Sequence, residues 1–183
     1  MAKSKNTAPQ YDNQSIKALK GADRVRLRPG VIFGSNGLEG CEHAFFEILS
    51  NSIDEAREGY GDKIVVTRFL DGSIEVQDFG RGLPVDYNSD GGSYEYSLGL
   101  NGLGLTSTQY ASEYMDAEVF YGGHRYEIHF KKGNVASELI KEPYNKRNTG
   151  TRIKWRPDLE VFTDINIPLE YFQEVMQKQS VVN

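Results

Sequence analysis

The sequence predicts a two-layer α+β sandwich, and three observations carry that reading. Residues 39–57 hold apolar side chains at three- and four-residue spacing, as an amphipathic helix does. Residues 63–77 are β-branched and aromatic on both sides of Asp71-Gly72, a strong two-residue hairpin signal. Residues 117–156 contain further short strand-like runs separated by polar turns. Helices beside a run of antiparallel hairpins bury their apolar faces against one sheet. At 183 residues the chain is long enough for one domain with a real core.

Taken in order, residues 1–14 are polar and read as a flexible arm, leaving 15–183 as the folded domain. Ser15 to Arg28 reads as one short helix or two, with Ile16, Leu19, Val25 and Leu27 as apolar contacts and Pro29-Gly30 as the stop. Gly34 to Gly40 is loop. The main helix, Glu39 to Arg57, carries the stripe Cys41, Ala44, Phe45, Ile48, Leu49, Ser52, Ile53 and Ala56, and Gly59 and Gly61 end it. The hairpin pairs Lys63–Leu70 with Ser73–Gln77. A polar, glycine-rich connector follows over 84–98, then a helix from Leu103 to Glu113. Strands are expected at Ala117–Tyr121, Arg125–Lys131 and Val135–Lys141, the last two turning at Lys132-Gly133-Asn134. A polar loop at Asn145–Gly150, a strand at Thr151–Arg156 and an amphipathic helix at Pro168–Gln179 complete the chain.

Composition narrows the function classes. No apolar run reaches the roughly 18 residues of a spanning helix, and Met1-Ala2-Lys3-Ser4-Lys5-Asn6 lacks the apolar core of a secretory signal. Cys41 is the only cysteine, so no intrachain disulfide forms and a cytoplasmic protein is the simplest reading. The net charge is −5 with scattered basic residues, whereas gripping nucleic acid needs a basic face.

Three segments carry chemistry. On the main helix Glu47, Asn51 and Glu55 stand four apart, with Asp54 beside them, so they share a face. A solvated polar face is the ordinary explanation of such spacing. Against it, Glu47 stands between Phe46 and Ile48, where a carboxylate is partly desolvated and suited to accept a proton. Asn51 offers a neutral oxygen to a hard ion such as Mg²⁺, which fills most of its shell with phosphates and water. Asp78 ends a strand before Gly80-Arg81-Gly82-Leu83-Pro84. It reads either as a turn-initiating acid or as a buried acceptor for an exocyclic amine such as adenine N6, with Gly80 and Gly82 letting the backbone approach a flat base. Arg81 can pair with Glu55 and brace the turn. Asp78-Phe79-Gly80 also matches a kinase tripeptide, but the other kinase elements are missing. Gly99-Leu100-Asn101-Gly102-Leu103-Gly104 runs into a helix, where freed backbone N–H groups form an anion site. No lysine follows the last glycine, which excludes a Walker loop. Thr149-Gly150-Thr151 opens a strand from which a hydroxyl can reach a base edge. A general base, a metal-ligating amide, a base-edge acceptor and a phosphate cradle together describe an ATP site. His43, His124 and His129 show no metal spacing and read as surface residues of helix and strand.

From Tyr11 onward the chain resembles the N-terminal ATPase domain of bacterial type IIA topoisomerase B subunits, of gyrase or topoisomerase IV (ParE), within the GHKL superfamily. The resemblance rests on Ser15 to Gly21, Arg26-Leu27-Arg28-Pro29-Gly30, the helix Glu47 to Ala56, Gln77 to Pro84, Gly99 to Leu105 and Asn148-Thr149-Gly150-Thr151, in family order. It implies the Bergerat fold, a mixed and mostly antiparallel sheet covered by helices on one face. It also implies roles: Glu47 as general base, Asn51 as Mg²⁺ ligand, Asp78 with Thr151 at the adenine, Asp54 as a pocket acid, and Glu55–Arg81 as an ion pair at the pocket wall beside Gly82, Leu83 and Pro84. Gly99, Leu100, Asn101, Gly102, Leu103 and Gly104 match the phosphate-binding loop, and Tyr11 the arm tyrosine that reaches a neighbouring subunit's nucleotide. ATP and Mg²⁺ are the implied cofactors. The implied partners are ATP or an ATP-site inhibitor, a second copy through the arm, and an A-type subunit (GyrA or ParC) with DNA through regions this chain lacks.

Departures are visible. Phe79, Asn101 and Ser50 replace an acid, a histidine and an aspartate common in the family. Tyr121 stands where an arginine often flanks the edge that binds coumarin-type inhibitors. The stretch from Pro84 to Gly99 is too short for the family's lid helix, and Asn183 ends the chain before the family's transducer; both read as engineered. The expectation is a domain that binds nucleotide or inhibitor with little turnover by itself. The alternatives are a non-catalytic, nucleotide-gated dimerisation module and a MutL-type or chaperone ATPase, the latter disfavoured by Arg28-Pro29-Gly30.

Overall fold

The computed structural model describes residues 21–83 and 103–182. The predicted arm, residues 15–20 of the first helix, the connector 84–98 and the loop Gly99–Gly102 lie outside the described residues. Two short helices open the described chain, α1 (Gly21–Leu27) and α2 (Pro29–Phe33). Pro29, expected as a stop, starts the second one: a first-turn position needs no N–H, and the fixed φ of proline suits a helix. The 20-residue α3 (Leu38–Arg57) is the predicted main helix, and its buried side chains are the predicted stripe with the exception of Ala56.

The hairpin forms as β1 (Ile64–Arg68) and β2 (Ile74–Asp78), with Ile64 opposite Asp78 and Arg68 opposite Ile74. Helix α4 (Leu103–Tyr110) stops short of the expected Glu113. Ser112 turns its hydroxyl back onto the Gln109 carbonyl (2.6 Å) and opens the long strand β3 (Ser112–Tyr121). Strand β4 (His124–Lys131) follows. The single strand expected over 135–141 is two pieces, β5 (Asn134–Val135) and β6 (Ile140–Pro143). They are split because the Ser137 hydroxyl, rather than a backbone carbonyl, accepts the His129 N–H (3.1 Å). Strand β7 (Gly150–Pro157) and helix α5 (Leu169–Val182) complete the described chain.

The sheet order is β1-β2-β7-β3-β4-β5, with β6 also on β4, and every described pairing is antiparallel. One face is apolar. Ile74 and Val76, Ile153 and Trp155, Met115, Ala117 and Val119, and Ile128 and Phe130 meet Cys41, Phe45, Ile48, Leu49 and Ile53 of α3 in one core. Helix α5 lies on α3 through Phe172, edge-on to Phe45 at 4.9 Å, and through the Tyr171 hydroxyl, which donates to the Glu42 carbonyl (3.2 Å). The other face is a lattice of charge: Glu118 is held by Arg125 (2.9 Å) and Arg152, and His129 by Asp116 (2.7 Å). This is the predicted two-layer α+β sandwich. Its topology matters for the site, because β7 is inserted between β2 and β3 and so sets Thr151 beside the end of β2.

Candidate functional site

Asp78 anchors the site. Alternation along β2 puts Ile74, Val76 and Asp78 on the core side, so the strand ends with a carboxylate only 7 % exposed. Three donors hold it: the N–H of Gly80 (3.1 Å) and of Thr151 (3.0 Å) on Oδ1, and the Ser52 hydroxyl (3.0 Å) on Oδ2. Burial pushes its pKa above the usual aspartate range, against the pull of those hydrogen bonds and with help from Glu55. A carboxylate offers about four lone-pair directions, so one on Oδ2 is left for a ligand donor.

Glycine makes this crossing possible at two places. Gly82 has φ +86°, and a Cβ there would lie 3.0 Å from Val119. Gly150 has φ +137°, and a Cβ would overlap the Asp78 carbonyl. Glycine is the residue that tolerates such backbone at such close approach. The Thr149 hydroxyl donates to the Gly80 carbonyl (2.5 Å), and Leu83 N–H donates to Thr151 Oγ1 (3.0 Å), stitching the turn after β2 to the start of β7. With its oxygen accepting from Leu83, the Thr151 hydroxyl proton can be given to a base edge.

These groups line a cavity of about 620 Å³ between α3 and the sheet. Asn51, Ser52, Asp54, Glu55 and Glu58 of α3 and its C-cap form one wall; Asp78, Arg81, Gly82, Leu83, Tyr121 and Thr151 form the other, and Ile48, Val76 and Ile153 the apolar floor. An apolar floor with a few convergent polar groups is how proteins hold flat heterocycles. Arg81 is tied into the wall. Its backbone N–H and guanidinium donate to Glu55 (3.0, 3.2 and 2.8 Å) and to Glu58 (2.5 Å), and its plane lies 3.8 Å from the Tyr60 ring centroid. The Arg81 hydrogen bonds hold the Glu55 carboxyl below its ordinary pKa in spite of partial burial. Asp54 reaches the same wall but is 69 % exposed, with Arg57 3.9 Å away.

Glu47 stands apart from this wall. Its side chain is 30 % exposed, and Oε1 lies 3.1 Å from His43 Nε2. Its other oxygen rests against Gly104 in the first turn of α4. His43 Nδ1 faces the Phe33 carbonyl (3.2 Å), which can only accept, so Nδ1 carries a proton. The Glu47–His43 contact therefore ties the carboxylate to a ring that the Phe33 carbonyl orients. Asn51 donates its amide to the Glu47 carbonyl (2.6 Å), which leaves Oδ1 for the cavity. Of the predicted residues, Asn51, Asp54, Glu55, Asp78, Arg81, Gly82, Leu83 and Thr151 thus meet at one cavity, and Glu47 and Gly104 meet beside it. Leu103 opens α4, and Tyr11, Pro84, Gly99, Leu100, Asn101 and Gly102 fall outside the described residues. Sequence reasoning missed three residues. His43, read as a surface residue, touches Glu47, and its i−4 spacing was the available signal. Ser52, read as part of the apolar stripe, holds Asp78. Tyr60 carried no signal.

The family described as histidine kinase-, DNA gyrase B-, and HSP90-like ATPase matches residues 38–161. The chain is similar to the B subunit of DNA topoisomerase 4 from Staphylococcus epidermidis, 36 % identical over 86 % of this chain and 26 % of that protein. It is similar to the B subunit of DNA gyrase from Thermus thermophilus, 38 % identical over 85 % and 28 %. Among solved structures, the 43K ATPase domain of Thermus thermophilus gyrase B in complex with an aminocoumarin superposes with a TM-score of 0.80 at 34 % identity, covering 90 % of this chain and 46 % of that one. The chain therefore spans about a quarter of the length of these curated relatives. With its family match enclosing the cavity wall, the Asp78 turn and the Thr151 strand, this chain belongs to the histidine kinase-, DNA gyrase B- and HSP90-like ATPase family.

Proposed function

We propose that the cavity binds ATP through its adenine, that Glu47 activates the water attacking the γ-phosphate, and that the chain is the ATPase module of a type IIA topoisomerase, on its B-type polypeptide. The observation that carries the reading is Asp78, a buried acceptor with one direction unspent, facing an apolar-floored cavity beside the Thr151 hydroxyl. Adenine N6 gives a proton to the first, and a ring nitrogen accepts one from the second. Guanine presents a carbonyl where adenine has its amine, so the pair selects against it. Tyr121 lines the same cavity, where the family often carries an arginine beside the coumarin-binding edge.

In the hydrolytic step the water oxygen bonds to the γ-phosphorus, the bond to the bridging oxygen breaks, and ADP and phosphate leave. Glu47 orients the water and takes its proton, which requires the carboxylate form. His43 acts as a positioning residue, fixed by the Phe33 carbonyl. The residues present fit a Mg²⁺ ion bound with the phosphates. Asn51 has a committed amide nitrogen and an available oxygen, and among the described residues no cluster of three acidic, histidine or cysteine side chains forms. When bound, the ion would supply charge neutralisation on the phosphates, with Asn51 its protein ligand.

The likeness to the gyrase and topoisomerase IV subunits supports coupling of this ATPase to arm-mediated dimerisation and, with an A-type subunit, to DNA strand passage. Among the described residues no helix is long and apolar enough to cross a membrane. Calorimetry tests the adenine assignment: ATP should bind and GTP should not, and Asp78→Asn should weaken ATP at least about tenfold, the value of a charge-assisted hydrogen bond. Equal affinity for both bases would refute it. In a full-length protein carrying this domain, Glu47→Ala should slow phosphate release about 10²–10⁴-fold; an unchanged rate would leave a nucleotide-gated module without catalysis.

A further inference from the structure

We propose that Gly104 is a positioning residue for Glu47: its missing side chain is the space the Glu47 carboxylate occupies, so that the first turn of α4 and His43 grip the base from two sides. The role of Glu47 as base rests on the function proposed above; the grip itself does not.

Gly104 does not need to be glycine for its backbone. It sits inside α4 with φ outside the left-handed region, unlike Gly61, Gly82 and Gly150. Within a helix, glycine is a poor choice and alanine the best one. Space explains it instead. A Cβ at residue 104 would overlap Glu47 Oε2 and lie 2.5 Å from the carboxyl carbon and 3.1 Å from Cγ, and these are its three nearest atoms. The other carboxylate oxygen is 3.1 Å from His43 Nε2. The helices cannot simply part to admit a methyl group. One turn along, the buried Thr108 hydroxyl donates to the Ala44 carbonyl (3.0 Å) and fixes the spacing of α4 on α3. An alanine at 104 must therefore move the carboxylate out of its grip or break that bond.

The competing explanation is that residue 104 is small only to let a phosphate approach the backbone. A double-mutant cycle on the 183-residue chain separates the two. Urea unfolding of wild type, Gly104→Ala, Glu47→Ala and the double variant is measured without nucleotide. The expected result is a less favourable midpoint change for Gly104→Ala beside Glu47 than in the Glu47→Ala background, small because the displaced carboxylate is the free end of a flexible side chain; without Glu47 the clash is gone and helix propensity favours alanine. An equal loss in both backgrounds would overturn the proposal. Affinity for a non-hydrolysable ATP analogue with Mg²⁺ gives the second readout: the double variant should stay within about threefold of Glu47→Ala. A further drop of about tenfold or more would assign the space to the ligand and overturn the proposal. If the unchanged chain bound no analogue, the ATP reading would fail, and the unfolding cycle would still decide the role of Gly104.

Discussion

Asp78 shows how one residue can be costly to the fold and useful to the site. Its carboxylate is nearly enclosed, and burial raises its pKa because the charged form loses its water. A raised pKa in an acid means a stability cost that is present above the folded-state pKa and disappears as pH falls toward the ordinary aspartate range. Asparagine at this position would keep an oxygen for the Gly80 and Thr151 N–H groups, while its amide donates to the Ser52 hydroxyl, which then accepts. Asp78→Asn should therefore unfold at an equal or higher urea midpoint than wild type at pH 7, with the difference shrinking in acid, even as ATP affinity falls. A loss of about 1 kcal/mol or more at pH 7 would show that the charge stabilises the fold after all. Asp78 was legible in the sequence because strand alternation and the following glycines mark it. Ser52 was not, because a serine in an apolar stripe looks like filler until the strand opposite it is known.

At the scale of elements, α1 is held by Val25 in the core and by one arginine beside it. Arg26 donates to the carbonyls of Tyr110 (3.2 Å) and Ser112 (3.3 Å), where α4 gives way to β3, and to Asp158 Oδ2 (2.6 Å) beyond β7. Lys132 adds a contact to Glu160 at 2.7 Å. Burial pushes the Asp158 carboxyl up, but the Arg26 hydrogen bond and the Glu160 N–H outweigh it and leave its pKa depressed. The stabilisation from a depressed acid is fully present above the ordinary aspartate pKa and is lost as pH falls through the depressed one, below about pH 4. Arg26→Met should cost about 1.5–3 kcal/mol near neutrality, and hydrogen exchange over residues 21–27 should accelerate. The part of that cost carried by Asp158 should be lost in acid, leaving the part carried by the Tyr110 and Ser112 carbonyls; a cost independent of pH would mean that the ion pair with Asp158 contributes nothing. The long elements, α3 and the β1–β2 hairpin, were readable because many residues vote for one period. The end of α4 and the split of β5 from β6 were not, since single hydroxyls of Ser112 and Ser137 decide them through partners elsewhere in the chain.

For the whole molecule, periodicity predicted the two layers but not the strand order, and the order is what makes the cavity. Placing β7 between β2 and β3 brings Thr151 onto Asp78 from 73 residues away. No local pattern encodes that meeting; the resemblance of the motif series to a family did. The resulting cavity is lined by Asp54, Glu55, Glu58 and Asp78 against one described cation, Arg81, which Glu55 and Glu58 already engage. The chain as a whole carries −5. A triphosphate entering this field is repelled, whereas a neutral adenine-bearing ligand meets only the groups proposed to hold the base. The 183-residue chain should thus bind adenosine and adenine-site inhibitors without a divalent ion, and ATP only weakly unless Mg²⁺ neutralises part of its charge. Chelating the metal should cost ATP about tenfold or more in affinity and leave adenosine unchanged. Phosphate release by this chain should stay near background, because the described residues place no uncommitted cation at the cavity to hold charge developing on the γ-phosphate. Calorimetry with ATP, ADP and adenosine, each with and without chelator, reads the first point and a phosphate assay the second. Equal affinity for ATP with and without the metal, or brisk turnover by this chain, would show that groups other than Mg²⁺ neutralise the phosphates.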